Sequence, residues 1–200
     1  MANVRWILPL AGLLLWPVSL GAAAAGDATR NARRFSIEPW TDERGLPENS
    51  VIAMTQTRDG YLWLGTLSGL ARFDGSQFTV FDEVNTPGLG SSRIVSLFED
   101  NEGTLWIGTD TAGIYQAREG KLSRFEGFGG IGSRGRLVSA CQDSLGAVWL
   151  YTAGGELARH LNGNVDVWRV GPYLPSNFRA VIAEPSGRVW VGWDSGLSAV

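Results

Sequence analysis

The chain has 200 residues, an apolar fraction of 44% and a net charge of −3, enough hydrophobic material for one domain core and no marked excess of either sign. Its Lys and Arg residues are scattered singly and form no basic stripe of the kind a phosphate backbone demands, so nucleic acid is excluded as a partner. A lone cysteine, Cys141, rules out an intrachain disulfide, and a lone histidine, His160, has no evident partner in sequence.

Residues 1–25 read as a cleaved signal peptide. Arg5 supplies a short positive start, Trp6 to Leu20 an apolar run, and Ala22 to Ala25 small residues for cleavage. Pro9 and Pro17 interrupt the run, which is short for a span of about 20 residues, so a retained anchor is disfavoured. Cys141 lies far from the cleavage site and gives no support for a lipid-anchored terminus. The expected location is exported and periplasmic, with 26–34 as a polar spacer.

From residue 35 to 200 the chain repeats. Trp63, Trp106, Trp149 and Trp190 recur at spacings of 43, 43 and 41 residues, each three residues after a glycine: Gly60, Gly103, Gly146 and Gly187. A period near forty residues carried by short alternating strands predicts an all-β fold, a partial β-propeller of four-stranded blades.

Each repeat is read in the same order. A first strand carries Val51, Ala53 and Met54, then Ile94, Ser96 and Leu97, then Leu137, Ser139 and Ala140, then Phe178, Ala180 and Val181 at matching distances before the Trp. A tight turn follows at Thr57–Gly60, Asp100–Gly103, Asp143–Gly146 and Glu184–Gly187, where glycine permits positive φ and an acid can bond its own backbone. The second strand holds the Trp. A third begins at Gly69, Gly113, Gly155 or Gly196, and a fourth ends in Phe81, Phe125 or Trp168 after a turn at Asp74–Gly75, Glu119–Gly120 or Asn162–Gly163. The tryptophans are expected to fill the wedge between blades, each indole N–H finding a polar partner.

The third repeat departs from the others. Tyr151 replaces the glycine seen at Gly65, Gly108 and Gly192, and its first turn lacks an acid beside the glycine. The fourth repeat reaches Val200 in its third strand, so about three complete blades and one incomplete blade are expected. Propellers close with about four to eight blades, which makes the segment an expected amino-terminal piece of a longer protein.

The block Trp40-Thr41-Asp42-Glu43-Arg44-Gly45-Leu46-Pro47-Glu48-Asn49-Ser50-Val51, then Asp59 to Thr66 and Gly69 to Asp74, resembles the two-component regulator propeller repeat, and Ile94 to Asp100 with Gly103 to Thr109 resembles it equally. The resemblance implies the periplasmic sensor region of a bacterial hybrid histidine kinase or diguanylate cyclase, a homodimer in the full-length receptor. It further implies an inner-membrane location through a downstream membrane helix, and an extracellular ligand such as a carbohydrate or other nutrient.

The function expected from these readings is a ligand-sensing, dimerising extracytoplasmic module. The alternatives are a secreted propeller enzyme of lyase type or a protein-binding scaffold, since propellers host both binding and catalysis. Scaffold or ligand contacts would use the longer connections, Asp82–Ser91 and Gly127–Gly135, whose Gly and Pro content suits mobile or ligand-facing loops. No residue is assigned a catalytic, cofactor-binding or metal-binding role, and no cofactor is expected. His160 reads as a strand or turn residue, Cys141 as a small buried side chain, and Asp59, Asp100, Asp143 and Glu184 as turn acids and not a ring of metal ligands.

Overall fold

The computed structural model describes residues 36–128, 135–170, 180–193 and 196–200. The signal peptide, the spacer, Phe178 and most of the 127–135 connection lie outside the described residues. Contacts separate Met1–Glu38 from Pro39–Val200, and every strand belongs to the second unit.

Four antiparallel meanders follow one another. The first is β1 (Ala53–Gln56), β2 (Leu62–Gly65), β3 (Leu70–Phe73) and β4 (Phe78–Phe81); the second is β5 (Ile94–Glu99), β6 (Leu105–Thr109), β7 (Ile114–Arg118) and β8 (Lys121–Arg124). The third is β9 (Leu137–Gln142), β10 (Val148–Thr152), β11 (Glu156–Leu161) and β12 (Asn164–Arg169), and the fourth is β13 (Ala180–Ala183), β14 (Val189–Trp193) and β15 (Gly196–Ala199). In each sheet, strands adjacent in sequence are adjacent in space. The first strands β1, β5, β9 and β13 touch in succession, as blades set around an axis require. The propeller expected from the period is therefore the fold, with three four-stranded blades and a three-stranded fourth sheet among the described residues.

The hydrophobic core is divided among the seams between blades. Leu70, Ile94, Leu105 and Ile107 fill the first seam, with Trp63 and Phe81 packed on them. Trp106, Phe125, Leu137, Val148 and Leu150 fill the second; Trp149, Tyr151, Val181, Val189 and Val191 fill the third. Each strand of a middle blade alternates its side chains between two seams, so β6 and β10 are buried along their whole length.

Two features go beyond the sequence reading. Trp40 packs edge-on against Phe73 and Phe78, at 4.6 and 5.8 Å between ring centroids, and Leu46 is buried with Leu64 and Ala71. The segment around the short 3-10 turn Asp42–Arg44 thus covers the face of blade one that points away from blade two. In addition, β5 and β9 each bulge at the same repeat position, between Ile94 and Ser96 and between Leu137 and Ser139. The large residue before each bulge is thereby turned toward the preceding blade.

Candidate ligand-binding surfaces between the blades

The turn acids are structural, and their bonding is more specific than turn chemistry alone predicts. Asp100 accepts the Trp106 indole N–H through Oδ2 at 2.8 Å, while its Oδ1 accepts the backbone N–H groups of Glu102 and Thr104, both at 2.9 Å. Asp143 repeats this arrangement with Trp149 at 2.8 Å and the N–H groups of Leu145 and Ala147. Glu184 accepts the Trp190 N–H at 2.5 Å. That bond, followed by one from Ser186, holds the Glu184 carboxyl below its ordinary pKa.

Two expectations are corrected by these contacts. The turn of blade three does not diverge, because the acid that matters stands six residues before the Trp, not beside the glycine. Asp59 is not the blade-one equivalent of Asp100 either: Thr57 stands there, its hydroxyl accepting the Trp63 N–H at 3.2 Å and donating to Asp59 at 2.5 Å. Among the described residues, no cluster of His, Cys, Asp or Glu could hold a metal ion.

Blades are also tied turn to turn. The Arg58 N–H donates to the Glu99 carboxylate at 3.1 Å, and one repeat later the Asn101 N–H donates to Gln142 Oε1 at 2.6 Å. The Arg58 guanidinium reaches across the first seam to the carbonyls of Asp100 and Asn101 and to Asn101 Oδ1. At the third seam the matching position is Ala183, which has no side chain to accept such a bond.

The loop from Asp82 to Ser92 is held at both ends. Asp82 Oδ1 accepts the N–H groups of Val84 and Asn85 at 2.8 Å, and Glu83 and Ser92 exchange bonds at 3.0 and 2.6 Å. The Tyr115 hydroxyl accepts the N–H of Gly90 at 3.0 Å. This segment is a bonded loop rather than a loose one.

Cys141 is half-buried in the third seam, and burial, followed by the nearby Asp143 charge, pushes its thiol up to about 12. A nucleophilic thiol needs the opposite shift. His160, in β11, packs edge-on against Trp106 and Phe125 at 5.5 and 5.7 Å, so it is a strand residue bridging blades two and three.

Two cavities open between blades. One of about 330 Å³ lies in the first seam, walled by Trp63, Leu70, Phe81 and Leu105 together with polar residues that include Arg72 and Lys121. The other, of about 370 Å³, lies in the second seam and is walled by Gln116, Arg118, Lys121, Ser123, His160 and Asn162, among others. Both fall in the size range of small-molecule sites. Sequence reading missed them because each is assembled from residues about forty positions apart.

Known proteins share this architecture. The two-component regulator propeller model matches residues 45–68 and 88–111, each from the loop entering a blade through its first two strands. Histidine kinase P4 of Formosa agariphila is 40% identical over 47 residues, covering 24% of this chain and 3% of that protein. The extracellular domain of the BT4673 one-component system from B. thetaiotaomicron superposes with a TM-score of 0.62 at 24% identity, over 80% of this chain and 22% of that one. A catalytically inactive virginiamycin B lyase from Staphylococcus aureus, solved with quinupristin, gives 0.58 at 16% identity, over 74% of this chain and 50% of that one. The solved structures share the fold, and this chain spans only a small part of the curated relative and of the BT4673 extracellular domain. Two segments of the chain thus match the two-component regulator propeller repeat, and they lie in the first two blades of a propeller fold.

Proposed function

We propose that this chain is the extracytoplasmic, ligand-sensing part of a bacterial transmembrane signalling receptor. The observation that carries the reading is the pair of two-component regulator propeller repeats that build blades one and two. The apolar leader at 1–25 and the extracellular domains that superpose on the chain support export to the periplasm. The receptor would sit in the inner membrane through a downstream span, pair as a homodimer, and drive a histidine kinase or diguanylate cyclase output. Its signal would be an extracellular small molecule, a carbohydrate or another nutrient.

The physical requirement on such a module is modest. A ligand shifts a receptor between states only by its difference in affinity for them, typically about 1–3 kcal/mol of coupling. Trp–acid bonds within blades two to four and turn-to-turn ties across the first two seams supply stiff blades, while a cavity between blades places a ligand where two stiff bodies meet.

A fusion of Met1–Val200 to alkaline phosphatase lacking its own leader tests export: activity in intact cells is expected, lost when residues 1–25 are removed. Retained activity without the leader, or none with it, would refute the reading. Ligand-dependent output of the full-length receptor, abolished by deleting blades one and two, tests sensing. The lyase alternative gains no support from the site, because the His160 side chain has no hydrogen bond or ion pair with an acid or base among the described residues and packs edge-on against Trp106 and Phe125.

A further inference from the structure

The second seam differs from the first and third at one aligned position. In blades one and three the cross-strand partner of the repeat Trp is an arginine, Arg72 opposite Trp63 and Arg159 opposite Trp149, and each guanidinium lies over its indole at 5.9 Å. In blade two the partner of Trp106 is Gln116. Both the first and second seams hold a cavity at this position, but the first is lined by the Arg72 guanidinium and the second, of 370 Å³, by the shorter neutral amide of Gln116.

The rest of that wall is also distinctive. Gln116 pairs with Ser123 and Arg118 with Lys121, placing four polar side chains on the face turned toward blade three. The matching quartet in blade three contains an acid that answers its arginine, Asp166 to Arg159 at 3.8 Å. In blade two, Arg118 is held by Glu102 at 2.9 Å, and Asp100 and Gln142 are engaged by the turn bonds. Gln116, Ser123, Lys121 and Glu119 make no side-chain hydrogen bond or ion pair among the described residues. One cation and one carboxylate therefore stand without a partner two residues apart across the exposed Gly120 turn, which borders both cavities, and the Gln116 amide, Ser123 hydroxyl and His160 imidazole line the second cavity with them.

We infer that this cavity binds a small zwitterion of the α-amino acid class. Lys121 takes the α-carboxylate, Glu119 takes the α-ammonium, and Gln116, Ser123 and His160 receive a polar side chain. A ligand carrying a single charge would leave one rim charge unanswered, whereas a zwitterion matches both with charge-assisted hydrogen bonds. The inference deepens the sensing reading by naming its ligand class, and it can fail while that reading stands.

Calorimetric titration of the full-length protein with L-glutamine as probe tests it. Saturable binding is expected, weaker by about tenfold for glutaramate, which lacks the ammonium, and for 4-aminobutanamide, which lacks the carboxylate. Lys121→Gln should weaken glutamine and glutaramate but not 4-aminobutanamide; Glu119→Gln should weaken glutamine and 4-aminobutanamide but not glutaramate. Both sites are exposed, so neither change endangers folding. Gln116→Arg, which restores the residue of blades one and three, should abolish binding without lowering Tm. Absence of saturable binding, or binding indifferent to all three variants, overturns the inference. If the receptor still answers another ligand through its blades, only this site assignment falls.

Discussion

A methyl group placed on Gly65 would lie 2.8 Å from Ile94 Cγ2 and 3.1 Å from the Ile94 carbonyl oxygen. This glycine is therefore required by the approach of the next blade and not by a turn. The bulge in β5 directs Ile94 back onto blade one, where its N–H also donates to the Thr66 carbonyl at 2.8 Å. Gly108 stands in the same relation to Leu137, at 2.7 Å from Cβ. Gly65→Ala and Gly108→Ala should each destabilise the fold by about 1–3 kcal/mol, the range for overpacking a dense interior. Urea denaturation of the two variants measures it, and an unchanged midpoint would show that the seam can widen.

At the aligned position of blade three the requirement reverses. Tyr151 is fully buried against Val181, Val189 and Val191, so the third seam holds a large ring where the others hold none. Tyr151→Gly should therefore cost about 3–5 kcal/mol through loss of burial and the cavity left behind. Swapping glycine and tyrosine between blades would damage both seams, a result readable from the midpoints of the two single variants and the double one.

Asp100 satisfies three donors at once, and it is 5% exposed. Asp100→Ala would strand the Trp106 indole N–H and two turn N–H groups in a site with little access to water, costing about 3 kcal/mol. Thr57→Ala removes a neutral hydroxyl that accepts the Trp63 N–H in place of a carboxylate that accepts three, so it should cost less, about 1 kcal/mol. The comparison is made by thermal melts of both variants, with the Trp106 indole proton shift reporting loss of its bond. Equal losses would refute the ranking.

How far the sequence foretold this arrangement depends on the range of each interaction. The turns were legible, since Gly60, Gly103, Gly146 and Gly187 all adopt positive φ and lie three residues before the Trp. The Trp–acid bond was half legible. Its partner is local, six residues away, but spacing from the glycine does not single it out: Asp59 stands beside Gly60 and bonds Thr57, whereas Asp143 stands three residues before Gly146 and bonds the Trp149 indole. The cover formed by Trp40 and Leu46 was not legible, because those residues meet Phe73, Phe78 and Ala71 only after β3 and β4 form. The Gln116 cavity required knowing that an arginine normally lies across the indole, which is a fact of three-dimensional packing.

The turn after β3 makes an acid-labile element. The N–H groups of Gln77 and Ser76 and the Ser76 hydroxyl donate to Asp74, and these bonds bring its pKa down to about 2 from 3.8. A depressed folded-state pKa means that the unfolded chain takes up the proton first as pH falls. The contribution of Asp74 is thus fully present above about pH 4 and lost between there and about pH 2. The Tm difference between the wild type and Asp74→Asn should be constant at neutral pH and shrink through that window; a difference that grew on acidification would contradict the bonding.

Cys141 supplies the complementary test at high pH. Its thiol, shifted up to about 12 from 9.0 chiefly by burial, stays protonated at pH 8 in the folded chain. Only the thiolate attacks alkylating or disulfide reagents, so folded protein should react with Ellman's reagent far more slowly than protein in denaturant. Because the folded-state pKa is raised, the unfolded chain loses its proton first above about pH 9, and stability falls as pH climbs from there toward 12. Cys141→Ser titrates no thiol, so it should lack that part of the alkaline decline. A fast native reaction at pH 8 would show instead that the third seam opens readily at β9 and β13, the one seam where the turn-to-turn tie meets Ala183.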